Sequence, residues 1–100
     1  MGLNINKTID AGKALFALEG RLDTMTAPDL EKEVQESTAG LTELCFDMDK
    51  LEYISSAGLR VLLATQKIMN NQGSMKVTNV NETIMEIFEV TGFSDILTIE

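Results

Sequence analysis

Histidine is absent from this chain of 100 residues. That removes imidazole acid–base catalysis, the usual zinc ligand sets and any Ser-His-Asp arrangement. Cysteine occurs once, at Cys45. It cannot close an internal disulfide, and its place in an apolar run reads as a buried structural thiol rather than a nucleophile. Proline also occurs once, and no stretch is of low complexity. No apolar run approaches the ~20 residues that cross a bilayer, so no membrane insertion is expected. Basic residues are scarce: 8 Lys and Arg stand against 16 Asp and Glu, a net charge of −8. Neutralising nucleic-acid phosphates needs a basic patch, and an anionic membrane surface repels such a chain. A basic partner surface fits better. The stretch Met1-Gly2-Leu3-Asn4-Ile5-Asn6 lacks the basic and apolar pattern of a secretion signal, so a reducing cytoplasm is the expected location. Without secretion, the Asn-x-Thr triplets at Asn6 and Asn81 carry no meaning for glycosylation.

What is present suits one globular domain over 1–100: 44% hydrophobic and 24% charged residues are ordinary globular proportions. Leu3–Ile9 alternates apolar and polar as a half-buried strand does. Asp10-Ala11-Gly12 supplies a tight turn, and Lys13–Glu19 reads as the second strand of a hairpin. Thr26-x-x-Asp29 has capping-box spacing, with Asp in place of Glu or Gln and Pro28 in the first turn. Ala27, Leu30, Val34 and Leu41 then mark the apolar side of a helix that Gly40 ends. Leu41–Met48 reads as a third strand, and its apolar centre Leu44-Cys45-Phe46 predicts burial on both faces in a central position. Lys50–Ile54 reads as a link to a second helix that runs from Ser55-Ser56 to about Asn71, with Gly73 after it. Met75–Val80 is the fourth strand. Asn81 caps a third helix, Glu82–Val90, closed by Thr91-Gly92-Phe93. Ile96–Ile99 is a candidate last strand. The order β-β-α-β-α-β-α-β predicts an α/β fold, a mixed sheet of four to five strands with about three helices packed on it.

The stretch Tyr53–Leu63 carries the chemistry. With Leu59 set at zero and ~100° per residue, Val61, Leu62, Ile68 and Met69 fall on one arc, the buried side. Ser56 shares the opposite face with Arg60 and Lys67, and Ser55 turns toward the core. A serine pair at a helix start is commonly a cap, worth ~1 kcal/mol. It is also where a phosphate would meet free N–H groups and the positive end of the helix dipole, with Arg60 one turn away. Spacing leaves these two readings open, and Ser55 as cap with Ser56 as phosphate acceptor satisfies both. Gly58 in the first turn is a poor helix former. It points either to close approach by a neighbour or to room for a partner.

Asp47–Ile54 followed by Ser55-Ser56-Ala57-Gly58-Leu59 resembles the signature of STAS domains, specifically the bacterial anti-sigma factor antagonists. In that family an Asp ends the central strand, and Asp-Ser-Ser-Gly-Leu or a variant opens a helix. Glu19-Gly20-Arg21-Leu22-Asp23 is similar to the family's Gly-x-Leu-Asp segment, and the element order matches over essentially the whole chain. The resemblance implies that Ser56 is the phosphorylated residue, with Ser55 as the alternative, and that Asp23 lies beside it. It implies a docking face of Asp23, Ser55, Ser56, Gly58, Leu59, Arg60 and Leu63. The implied partners are an anti-sigma factor that is also a serine kinase, with its own ATP and magnesium, and a metal-dependent serine phosphatase that resets the switch. The unphosphorylated chain would bind the anti-sigma factor and free a sigma factor. Two positions depart from the pattern: Ser55 stands where the family has Asp, and Ala57 where it has Ser or Thr. The resemblance also admits a soluble STAS subunit of a lipid ABC transporter, which would need no phosphoserine.

No enzymatic activity or cofactor is expected, since no nucleophile–base pair is present. Asp23, Asp47 and Asp49 read as solvated carboxylates at strand ends rather than metal ligands, because no ligand spacing supports a site. The six Met residues read as core filling, with an exposed Met near Asp23 able to join an adaptable contact surface.

Overall fold

The computed structural model describes residues 2–100. Strands β1 (Leu3–Asp10) and β2 (Lys13–Leu22) pair antiparallel, with Asp10 opposite Lys13 across a loop of two residues. Both loop residues are left-handed, Ala11 at φ 51° and Gly12 at φ 82°. That conformation matches the strand twist and draws the hairpin tight. Helix α1 (Ala27–Ser37) leads to β3 (Glu43–Ile54), and α2 (Ser56–Asn70) leads to β4 (Ser74–Thr78). Helix α3 (Glu82–Thr91) follows, and a short 3-10 turn, Phe93–Asp95, closes the order. The sheet runs β1-β2-β3-β4, with β2, β3 and β4 parallel.

Both parallel crossovers step the same way across the sheet. Right-handed connections therefore place α1 and α2 on the same face. Alternate residues of the strands fill the space beneath: Ala14, Phe16 and Leu18 of β2, Leu44, Phe46 and Met48 of β3, Met75 and Val77 of β4. Phe16 and Phe46 sit side by side on paired strands, ring centres 5.6 Å apart. Leu30 and Val34 of α1, Leu62 and Met69 of α2, and Ile84 and Phe88 of α3 join the same core.

Several expectations are corrected. Strand β3 is central but is not buried on both faces. With all three helices on one side, Leu15, Cys45 and Lys76 lie in neighbouring register on the open side. Cys45 is therefore half-buried, its Sγ 3.6 Å from Thr78 Oγ1. The stretch Lys50–Ile54 is no link but the second half of β3. It pairs with Glu19–Leu22 through two register shifts, each of which adds one residue on the β3 side. The last strand is reduced to one parallel bridge between Val77 and Ile99. Val77 N–H donates to Thr98 O at 2.8 Å and Glu100 N–H to Val77 O at 2.9 Å. Leu97 turns inward to the core, so the chain touches the edge of β4 at a single point.

Helix boundaries follow their caps. Asn81 Oδ1 accepts from Ile84 N–H at 2.9 Å, and Gly92 ends α3 in the left-handed conformation at φ 84°. Helix α1 ends at Ser37, so Leu41 is not part of it but is buried in the link to β3.

Candidate functional site

Strands β2 and β3 are parallel neighbours, so their C-terminal ends emerge side by side. Leu22 pairs with Ile54, and Ser55 N–H donates to Leu22 O at 2.9 Å. This bond ties the loop that starts at Asp23 to the first residue before α2. Two segments far apart in sequence meet here, at the end of a parallel sheet where α/β folds gather their binding loops.

Asp23 organises its own loop. Its Oδ1 accepts from Met25 N–H at 3.0 Å and from Thr26 N–H at 3.1 Å. The Thr26 hydroxyl donates to Arg21 O at 2.8 Å and accepts from Asp23 N–H at 2.9 Å. Thr26 thus forms no side-chain cap to α1, and the capping-box expectation is corrected. Asp23, three residues earlier, holds the turn that leads into the helix, and Thr26 braces that turn. Partial burial pushes the Asp23 carboxyl up, but the N–H groups of Thr26 and Met25, the Thr26 hydroxyl and the Arg21 guanidinium outweigh it. The group is held below its ordinary value of 3.8. Arg21 Nε lies 3.7 Å from Asp23 Oδ2, and its guanidinium stands 4.5 Å from the centre of the Tyr53 ring.

The two serines at α2 take different environments. Ser55 is the N-cap, half-buried, and its hydroxyl accepts from Gly58 N–H at a long 3.4 Å. Ser56 is exposed, as are Arg60 and Lys67 on the same side, while Leu63 is half-buried. The Ser56 hydroxyl makes no hydrogen bond among the described residues. Leu59, 5% exposed, and Gly58 lie in the core rather than on the surface, so they support this face from beneath. A Cβ on Gly58 would sit 2.7 Å from Leu22 Cγ and 3.0 Å from Leu22 O. Close approach by β2 is therefore what demands glycine here. No acidic residue occupies the first turn of α2, and Arg60 makes no ion pair among the described residues.

One feature of this surface, a cleft, is not marked by the sequence, whereas Met25 is the exposed Met expected near Asp23. Met25 is 84% exposed at the tip of the Asp23 turn. Beside it, a cleft of about 230 Å³ opens between α1 and α2, lined by Thr24, Ala27, Pro28, Glu31, Arg60 and neighbouring Ala57 and Val61. A signal for Met25 existed in its place two residues after Asp23. The cleft left none, because it depends on how α1 and α2 pack. Asp23, Asp47 and Asp49 do not come together as a metal-binding group. Asp47 Oδ1 instead accepts from Asp49 N–H and from Asn79 Nδ2, both at 3.0 Å.

Among the described residues no helix is long and apolar enough to cross a membrane. Comparison with known proteins agrees with the fold. The STAS domain family matches residues 4–100. The anti-sigma-B factor antagonist of Bacillus subtilis is 27% identical over 100 residues, covering 99% of this chain and 92% of its own. The crystal structure of an anti-sigma factor antagonist from Mycobacterium paratuberculosis superposes with a TM-score of 0.88 at 21% identity, covering 98% of this chain and 85% of that one. The phosphorylated form of the Bacillus cell fate determinant SpoIIAA superposes with a TM-score of 0.75 at 14% identity, covering 99% and 91%. At such identities the two structures speak for the fold alone. A four-stranded mixed sheet with three helices is thus shared with a family whose anti-sigma factor antagonists are binding proteins rather than enzymes. The chain belongs to the STAS domain family.

Proposed function

We propose that the protein is an anti-sigma factor antagonist switched by phosphorylation of Ser56. In its unphosphorylated form it binds an anti-sigma factor that is also a serine kinase, which frees a sigma factor. Phosphorylation releases the anti-sigma factor, and a metal-dependent serine phosphatase restores the binding form. The chain supplies docking surface and phosphate acceptor; the catalytic groups belong to its partners, and its own place of action is the cytoplasm.

The observation that carries this reading is the division of labour at the start of α2. Ser55 serves as the cap, which leaves Ser56 exposed with a free hydroxyl beside the Asp23 turn. A phosphate there adds ~−1.5 to −2 charges at a helix N-terminus, where the backbone tolerates it. Asp23, Ser55, Ser56, Arg60 and Leu63 form the exposed or half-exposed part of the docking face, with Met25 added, and Gly58 and Leu59 hold it from below. The named similarity to anti-sigma-B factor antagonists supports the antagonist part of the same reading.

The test is affinity capture with the purified chain from a bacterial lysate, with ATP, followed by mass mapping of both prey and bait. Recovery of an anti-sigma factor kinase and phosphate on Ser56 is the expected result. Recovery of a transporter ATPase without phosphate would move the transporter-subunit reading ahead.

A further inference from the structure

Resting on the switch proposed above, we infer that Arg60 is its exchanged cation. A partner carboxylate pairs with Arg60 while Ser56 is unmodified, and the phosphate on Ser56 takes Arg60 over. Arg60 sits four residues beyond Ser56 on one exposed helix face, the spacing at which helix side chains meet. It is a planar fork suited to a carboxylate or a phosphate. Among the described residues it makes no ion pair, although the chain carries twice as many acids as bases. Glu31 lines the same cleft and still does not pair with it. A cation left free on so acidic a surface, at the rim of a cleft with an Ala27, Ala57 and Val61 lining, is complementary to an acidic group on whatever docks there. The first turn of α2 holds no acid, so a phosphate on Ser56 would meet no competing carboxylate on that turn and two sources of positive charge: the helix end and Arg60. One residue then links modification to release. The phosphate need not clash with the partner; it removes the partner's counter-ion and repels the carboxylate left behind.

The experiment uses the full chain with phosphoserine placed at 56 by genetic encoding, which needs no kinase. The second ionisation of a phosphoserine lies near pH ~6, and a guanidinium in contact lowers it. In ³¹P NMR titrations Arg60→Gln should raise this value by about 0.5 pH unit. Lys67→Gln should leave it unchanged, since Lys67 lies ~16 Å from Ser56 along the helix axis. In parallel, Arg60→Gln in the unmodified chain should weaken binding of the captured anti-sigma factor by about tenfold. Arg60 is exposed, so both variants should fold. If Arg60→Gln and Lys67→Gln titrate alike, or if Arg60→Gln binds the anti-sigma factor as tightly as the native chain, the exchange is wrong while the switch stands. If the native unmodified chain binds no anti-sigma factor, the functional reading falls and the exchange falls with it.

Discussion

Asp23 sits where two demands meet, a turn that must be held and, under the proposed switch, a surface that must stay open. Its Oδ1 takes the N–H groups of Met25 and Thr26, so its role in the fold is complete before any partner arrives. Because its folded pKa is depressed, its stabilising effect is fully present above the ordinary value of 3.8 and is lost as pH falls through the lower folded value. Asp23→Asn should therefore be less stable than the native chain at pH 7, and the gap should close in acid as pH falls below 3.8 and through the depressed folded value. A gap that is constant with pH would show that the carboxylate charge is irrelevant to the turn. Gly58 gives a second residue-level test. On an exposed helix, Gly→Ala gains ~1 kcal/mol. Here the new methyl meets Leu22, which is fully buried and cannot yield. Gly58→Ala should cost about 1–3 kcal/mol in urea unfolding, and a stabilised variant would show that β2 can retreat. Residues of this kind were unequally legible. The helical wheel assigned Ser56, Arg60 and Lys67 to the exposed face correctly, since an apolar arc defines its own opposite. The capping box at Thr26 and Asp29 misled, because spacing cannot say which of several hydroxyl and carboxylate groups closes a turn. Asp23 lies three residues before Thr26 and holds the turn instead.

At the scale of elements, caps decide where helices begin, and two of them can be ranked by geometry. Asn81 accepts from Ile84 N–H at 2.9 Å and also donates to Leu51 O at 2.8 Å, so it fixes α3 to β3. Ser55 offers α2 one long bond of 3.4 Å. Asn81→Ala should lower stability by about 2 kcal/mol and Ser55→Ala by about 0.5–1 kcal/mol, measured by urea or thermal unfolding. The reverse order would mean that the length of the Ser55 bond is a poor guide to its strength. Ser55→Ala should leave phosphate incorporation intact. The elements that the sequence concealed share a cause. In β3 the buried residues Leu44, Phe46 and Met48 recur every second position, then Leu51 and Ile54 follow at every third. The two register shifts against β2 break the alternation that marks a strand. Lys50 and Glu52 then look like a linker. The burial of Cys45 was overestimated for a related reason: an apolar run shows that a strand is central, not how many faces are covered. The final strand shrank to a bridge: Leu97 turns into the core, and among the described residues the backbone after it bonds to β4 at Val77 alone.

Over the whole molecule, the fold separates the core from the proposed docking face. The core lies between the sheet and three helices, and the Asp23 turn, the start of α2 and the cleft beside Arg60 gather at the C-terminal ends of β2 and β3. That arrangement lets Ser56 change charge without disturbing a buried contact. Ser56→Ala and Ser56→Asp should both unfold within about 0.5 kcal/mol of the native chain, as substitutions at exposed positions generally do. The gross architecture was readable because β-β-α-β-α-β-α leaves few right-handed arrangements for a chain of 100 residues. The cleft was not, since no local pattern encodes the spacing of two packed helices. The central claim is that phosphate on Ser56 abolishes docking by charge at the surface and not by unfolding. Its most direct test is the affinity of the anti-sigma factor for the unmodified chain and for the chain bearing phosphoserine at 56, by calorimetry at one salt concentration. The account predicts a loss of about 150-fold on phosphorylation, ~3 kcal/mol, with Ser56→Ala binding like the unmodified chain. Equal affinity for the two forms would contradict it.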